Sequence, residues 1–306
     1  MNILKLKPAL KDYLWGGTRL KTEFKMESDL SKVAEAWVLS THKDGPSVVE
    51  NGVFKGKTFN QALELLGKEA LGEKGGAFEF FPILIKLIDA KDKLSVQVHP
   101  EDEYALKTEG EYGKTEMWYI VDCEEGATLY FGFKEEISKE EFRRRIEDNT
   151  LTEVLNSVPV KKGDVFFIEA GTIHAIGSGI LIAEIQQNSN TTYRVSDYGR
   201  LGADGKPRPL HIEKALEVTK FKKPSVQENL PSGVLACCKY FNVKLHNVDG
   251  GLAVKVGKES FSSLLVLEGE ITVEDVVLKK GECCFIPANS GEIKITGKAK
   301  VIESRV

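Results

Sequence analysis

The 306-residue chain has no CxxC pair, no run of 18 uncharged apolar residues and no surplus of basic charge. Its five cysteines (Cys123, Cys237, Cys238, Cys283, Cys284) are odd in number, and four of them form adjacent pairs. Neither a secreted disulfide framework nor a thiolate zinc site is built that way. The best apolar stretch, residues 80–88, is interrupted by Lys86, so no membrane-crossing helix is expected. The opening MNILKLKPALKDYLWGG has neither a continuous apolar region nor a small-residue cleavage site, which predicts a cytoplasmic chain. With 42 Lys and Arg against 46 Asp and Glu, the formal charge is −4, an argument against nucleic acid or an anionic membrane as partner. No GxxxxGK[ST], GxGxxG, HExxH or GxSxG occurs with suitable flanks, and His99-Pro-Glu101 lacks the PCxxC of a zinc deaminase. Any metal site must therefore draw on carboxylates, amides and five imidazoles: His42, His99, His174, His211 and His246.

What is present is mostly strand sequence. Hydrophobic content of 42% suffices for real cores. Residues 35–40, 80–90, 116–121, 165–168 and 179–187 read as strands, and residues 94–99 alternate with period two, so Ser95, Gln97 and His99 should share one face. A WGG turn is read at residues 15–17. Helical spacing appears over residues 58–71, with Thr58 as N-cap and Gly72 as stop, and again from Ser138 toward Leu155, where Ser138 and Glu141 form a capping-box pattern. A third helix is expected near residues 211–218. The polar, proline-bearing residues 223–233 read as a linker, and everything from Val234 onward as short strands and glycine turns.

An internal repeat organises these strands. VKKGDVFFIEA (160–170) parallels LKKGECCFIPA (278–288), and each copy follows a strand and an acidic-glycine turn. The first copy runs on into GTIH (171–174), whereas the second has no histidine. The expected fold is mainly β: two related barrels in tandem with inserted helical segments, only the first equipped for chemistry.

Three dispersed residues could build a metal site. His99 ends an alternating strand just before a Pro-Glu-Asp turn, Glu116 enters a strand with Lys114 on the same face, and His174 follows a glycine turn into another strand. Two imidazoles and a carboxylate around an open position suit catalytic zinc and equally non-haem iron, with Gln97 as a further amide ligand. Each also has a plainer reading, an exposed strand face for His99 and a surface ion pair for Lys114 and Glu116. His42 reads as a surface residue and His211 as structural. Residues 186–192 are seven consecutive uncharged polar residues followed by Tyr193 and Arg194. Either they form a solvated loop, or they present hydroxyls, amides and one guanidinium to an oxygen-rich ligand, with Arg194 holding a phosphate or a developing oxyanion.

Five ordered motifs, FPILIKLIDA (81–90), LSVQVHPED (94–102), GKTEMW (113–118), GTIHA (171–175) and YRVSD (193–197), resemble type I mannose-6-phosphate isomerases, especially their short bacterial form. The resemblance spans residues 1 to about 220 and implies a bicupin, with residues 1–222 as the catalytic cupin domain, 223–233 as linker and 234–306 as a metal-free cupin-like domain. It also implies one Zn2+ per chain on His99, Glu116 and His174, with Gln97 as ligand or neighbour. The implied substrates are mannose 6-phosphate and fructose 6-phosphate, with Arg194 and Lys114 catalytic and Lys86 and Ser95 lining the sugar-phosphate pocket. Glu101 is the alternative proton shuttle to Lys114. Glu169 departs from the proline usual in cupins. A non-catalytic sugar-phosphate-binding cupin and an iron-dependent cupin dioxygenase are the rival classes.

Overall fold

The structure, a computed structural model, describes residues 3–202 and 205–306. Three antiparallel sheets dominate it, with short helices between strands, so the expected mainly β class holds. A six-stranded sheet runs in the order Val165–Ile168, Glu116–Cys123, Ile180–Gln187, Ile83–Ala90, Glu35–Leu39, Ala9–Lys11. It faces a five-stranded sheet ordered Tyr193–Ser196, Val96–Val98, His174–Ala175, Thr128–Phe133, Leu155–Pro159.

Ile83–Ala90 and Ile180–Gln187 are buried at every position, which explains their nearly unbroken apolar sequence. One face of the six-stranded sheet, carrying Ile88, Trp118, Ile120 and Ile182, packs inward against Leu129 and Phe131. The other face, carrying Ile85, Leu87, Met117, Tyr119, Ala183 and Ile185, shares a core with Phe241, Phe261 and Phe285 from the C-terminal part. A sheet covered on both sides is a rigid floor for a site.

The remaining strands form one eight-stranded sheet. Val248, Val254, Leu264, Val266, Ile271, Ile293, Ile295 and Val301 all belong to this sheet and pack on one another, so it curls around its own core. Leu4–Lys7 also joins it, pairing Leu4 with Phe285 and Leu6 with Cys283, while Val48–Val49 pairs with Leu4–Lys7. The chain thus begins in the sheet in which it ends.

Several local expectations change. Asn242–Val256 and Gly291–Arg305 are 15-residue strands, paired end to end, rather than short strands between glycine turns. Gly250 faces Gly297 within this ladder, and a Cβ on Gly297 would come within 2.4 Å of the Glu270 carbonyl. Its glycines therefore let a continuous ribbon bend. Thr58 does cap a helix, Phe59–Leu66, in a full capping box with Gln61, but Gly67 (φ 81°) stops it five residues before Gly72. Ser138 caps Lys139–Glu147, and left-handed Asn149 (φ 56°) ends it, leaving Leu155 to a strand. Ile212–Val218 is helical as expected.

The repeat reappears as geometry. In each copy a left-handed glycine, Gly163 (φ 93°) or Gly281 (φ 86°), makes the turn. Asp164 then accepts a hydrogen bond from the Lys161 N–H at 2.9 Å, and Glu282 one from the Lys279 N–H at 2.7 Å. Among the described residues no helix is long and apolar enough to cross a membrane.

Candidate active site

The site is assembled from both sheets of the first unit. Gln97 lies in the strand Val96–Val98, paired with His174 on one side and Arg194 on the other. Directly opposed residues share a face, so Arg194, Gln97 and His174 form one row. His99 follows just beyond the same strand, and Glu116 opens the facing sheet's strand Glu116–Cys123, opposite Gln186.

One ligand atom from each of His99, Glu116 and His174 falls within 4.8 Å of the others, and all three residues are buried. His174 Nε2 lies 3.4 Å from Glu116 Oε1, and His99 Nε2 lies 3.7 Å from Glu116 Oε2. Each imidazole aims Nδ1 at a backbone carbonyl, His99 at Thr191 O (2.9 Å) and His174 at Thr172 O (2.8 Å). With Nδ1–H donating there, both Nε2 lone pairs face Glu116. Among the described residues neither oxygen of Glu116 has a well-aligned hydrogen bond. Burial, with Glu184 nearby, pushes Glu116 up to about 7. Burial also pushes His174 down to about 4 and His99 well below its ordinary range. A buried carboxylate facing two imidazole Nε2 lone pairs, with Lys114 as the cation beside it, is a donor set that a divalent cation satisfies, so the residues fit a metal.

Beside this cluster lies a cavity of about 290 Å³. Its lining includes Lys86, Ser95, Gln97, Lys114 and Arg194, together with Tyr13, Trp15, Glu35, Glu184, Asn190, Thr192 and Arg208. Lys114 Nζ is 2.7 Å from Glu116 Oε2 and 3.1 Å from His99 Nε2. Ser95 donates to Gln97 Oε1 at 3.3 Å, leaving the Gln97 amide nitrogen 3.4 Å from His174 Nε2. Lys86 is buried between Glu184 (3.2 Å) and Glu35 (3.7 Å). Burial alone would lower its pKa, but the two carboxylates hold it above the ordinary lysine value. Arg194 donates from Nη1 to Pro209 O at 3.0 Å, while its buried Nε has no partner among the described residues. Burial, then the neighbouring Arg208, lower the Arg194 pKa.

Several of these residues escape a reading of the sequence. Glu184 is a lone carboxylate in the apolar run ILIAEIQQ, a signal that could have marked it. Glu35 opens an apolar strand and accepts from Trp37 Nε1 at 2.6 Å. Arg208, set by Asp197 through contacts of 2.8 and 2.6 Å, lies between two prolines and carries no periodic signal. Glu101 pairs with Lys220 at 2.7 Å and does not line the cavity. His42 is not a surface residue: it is buried, with Nε2 3.3 Å from Glu111 Oε1. His211 has a structural place, its Nδ1 accepting from the Arg194 N–H at 3.2 Å. Of the seven polar residues 186–192, only Asn190 and Thr192 line the cavity. The amides of Gln186, Gln187 and Asn188 bind neighbouring backbone and side chains instead.

Residues 3–126 match the family model "Phosphomannose isomerase type I, catalytic domain", and residues 233–306 match "Mannose-6-phosphate isomerase, cupin domain". The mannose-6-phosphate isomerase ManA of Bacillus subtilis is 41% identical over 318 aligned residues, 99% of this chain and 98% of that protein. The chain belongs to the type I phosphomannose isomerase family. It is an isomerase. A second family member, the mannose-6-phosphate isomerase of Streptococcus mutans, is 38% identical over 98% of this chain and 97% of its own length. The crystal structure of the Bacillus subtilis mannose 6-phosphate isomerase matches with a TM-score of 0.89 at 36% identity, covering both chains fully. The apo form from Salmonella typhimurium, at 18% identity and a TM-score of 0.78 over 99% of each chain, shares the fold. The cupin-like β architecture expected for the family is thus the one found.

Proposed function

We propose that this isomerase interconverts mannose 6-phosphate and fructose 6-phosphate, using one Zn2+ held by His99, Glu116 and His174 with Gln97 beside them. The observation carrying the reading is the fully buried Glu116 carboxylate facing two Nε2 lone pairs at the edge of a cationic cavity. Zinc bound there supplies Lewis-acid polarisation of the sugar oxygens at C1 and C2.

The chain's own groups account for the rest. Moving the carbonyl from C1 to C2 takes the proton from C2 and returns it to C1 through an enediol(ate), while the hydroxyl proton passes from O2 to O1. Lys114 lies against Glu116 and His99 and lines the cavity, so its amine is placed to carry the carbon-bound proton. Glu101 pairs with Lys220 at 2.7 Å and does not line the cavity, which favours Lys114 over it as the proton carrier. Arg194 shares a row with Gln97 and offers its guanidinium to the developing oxyanion. Ser95 and the buried Lys86 bind the sugar phosphate from the floor, and Lys86 stays cationic because Glu35 and Glu184 flank it. In this reading residues 1–222 carry the chemistry, 223–233 connect, and 234–306 form a metal-free support, in a cytoplasmic enzyme acting on a small phosphorylated sugar.

A coupled isomerase assay with both sugar phosphates, run with metal analysis, tests this. The expected result is turnover that EDTA abolishes and zinc restores, with His174→Ala inactive. Turnover untouched by EDTA, or bound iron with oxygen uptake, would sink the reading.

A further inference from the structure

His99 is oriented by the carbonyl of Thr191, a residue of the polar loop that contributes only Asn190 and Thr192 to the cavity lining. Within the loop Ser189 Oγ accepts from the Thr191 N–H at 3.2 Å and Gln186 Nε2 donates to Ser189 O at 2.6 Å. From outside residues 186–192, Asn190 and Thr191 are both held by Glu111. Its Oε2 accepts from the Asn190 backbone N–H at 3.1 Å and from Thr191 Oγ1 at 3.4 Å. Its Oε1 lies 3.3 Å from His42 Nε2 and 3.0 Å from Lys43 Nζ. The Asp44 backbone N–H donates to His42 Nδ1 at 3.1 Å, so the neutral imidazole carries its proton on Nε2, aimed at Glu111. Asn190 is tied down again by its amide, which donates to Asp44 Oδ2 at 2.8 Å. Glu111 lines a separate cavity of about 560 Å³, with His42, Lys43 and Asn188, and not the catalytic one.

We propose that Glu111 is a positioning residue for the metal site: by clamping Asn190 and Thr191 it fixes the carbonyl that accepts from His99 Nδ1–H, and so presents His99 Nε2 to the metal. The loop carbonyl alone would leave the imidazole free to follow the loop. The His42–Lys43–Glu111 cluster makes that carbonyl stationary, the task of groups behind a metal ligand. This rests on the metal reading above.

The test titrates zinc into chelator-stripped protein against a competing chelator, and records imidazole nitrogen NMR spectra of the same stripped protein. Wild type, Glu111→Ala, Glu111→Gln, Glu111→Asp and His174→Ala are compared. Glu111→Ala is expected to weaken zinc binding about 10- to 100-fold and to turn the single His99 tautomer into a mixture. Glu111→Gln keeps an oxygen for the Asn190 N–H and is expected to recover most of the affinity. Glu111→Asp, whose shorter carboxylate retracts from Asn190, is expected to fall between and serves if the alanine variant does not fold. Zinc affinity within twofold of wild type in a folded Ala or Asp variant overturns the proposal, as does a glutamine variant as weak as the alanine one. Wild-type protein that binds no zinc, or binds it regardless of His174→Ala, instead removes the metal reading itself.

Discussion

Lys86 and Glu184 are direct cross-strand partners whose side chains meet at 3.2 Å in the lining of the cavity beside Glu116, with Glu35 3.7 Å away on Lys86's other side. One buried cation thus serves two buried carboxylates, and the arrangement ties the stability of the six-stranded sheet to the charge of the site. Replacing Lys86 by Met removes the cation shared by both buried carboxylates and leaves Glu184 only the charge of Lys114, a loss of about 3–5 kcal/mol. Denaturant unfolding of K86M should show this, and the double variant with Glu184→Gln should recover part of it. A K86M protein as stable as the parent would dissolve the link between site and sheet.

Lys114 gives a kinetic prediction. Lys114→Met should lower kcat by about 10²–10⁴-fold, the usual contribution of a positioned acid-base group. The metal content should match wild type, since His99, Glu116 and His174 are untouched. Normal turnover in a zinc-loaded K114M would pass the proton-carrying role to another group.

Gln97 sits with its amide against His174 Nε2, held by Ser95. Gln97→Leu removes the amide while keeping an apolar side chain of similar size. A fall in zinc affinity of about 10–100-fold, measured by chelator competition, is the expected result. Unchanged affinity would make Gln97 a neighbour of the metal rather than a participant.

Glu303, in the C-terminal sheet, concerns acid stability. Burial would raise its pKa, but His246 at 2.7 Å, the adjoining Arg305 and Ser262 at 2.9 Å outweigh that and hold it at about 2, against an ordinary 4.5. Because the folded pKa is depressed, its contribution is fully present above pH 4.5 and disappears as pH falls toward 2. The contribution at neutral pH is roughly 3 kcal/mol. Stability measured from pH 6 to 2.5 should fall less steeply for Glu303→Gln than for wild type. Parallel curves would show that Glu303 does not drive acid unfolding.

The local grammar is legible in the residues themselves. Period-two alternation puts Ser95, Gln97 and His99 on one strand face, and Ser95 indeed bonds Gln97 beside the histidines. Thr58 and Ser138 announce helix starts because a hydroxyl can accept from an N–H three residues on, which both do. The two KKG-acid turns announce themselves by the reverse bond, a carboxylate accepting from an N–H three residues earlier. Helix ends are less legible: Gly67 and Asn149 terminate helices by taking left-handed backbone, an option that sequence offers without enforcing.

By itself, then, the sequence determined which residues could form strands, turns and caps, and which side chains in each strand point the same way. Those are short-range matters of backbone geometry and hydrogen bonding over two to four residues. Only the tertiary structure decided that Leu4–Lys7 closes the C-terminal sheet, that Glu35 and Glu184 bracket Lys86, that Arg208 joins Arg194 at the cavity, and that Glu111 stands behind His99 through a loop eighty residues away. These contacts join strands and loops distant in the chain, and their register is set by cores packed on both faces of a sheet. No local pattern carries that information.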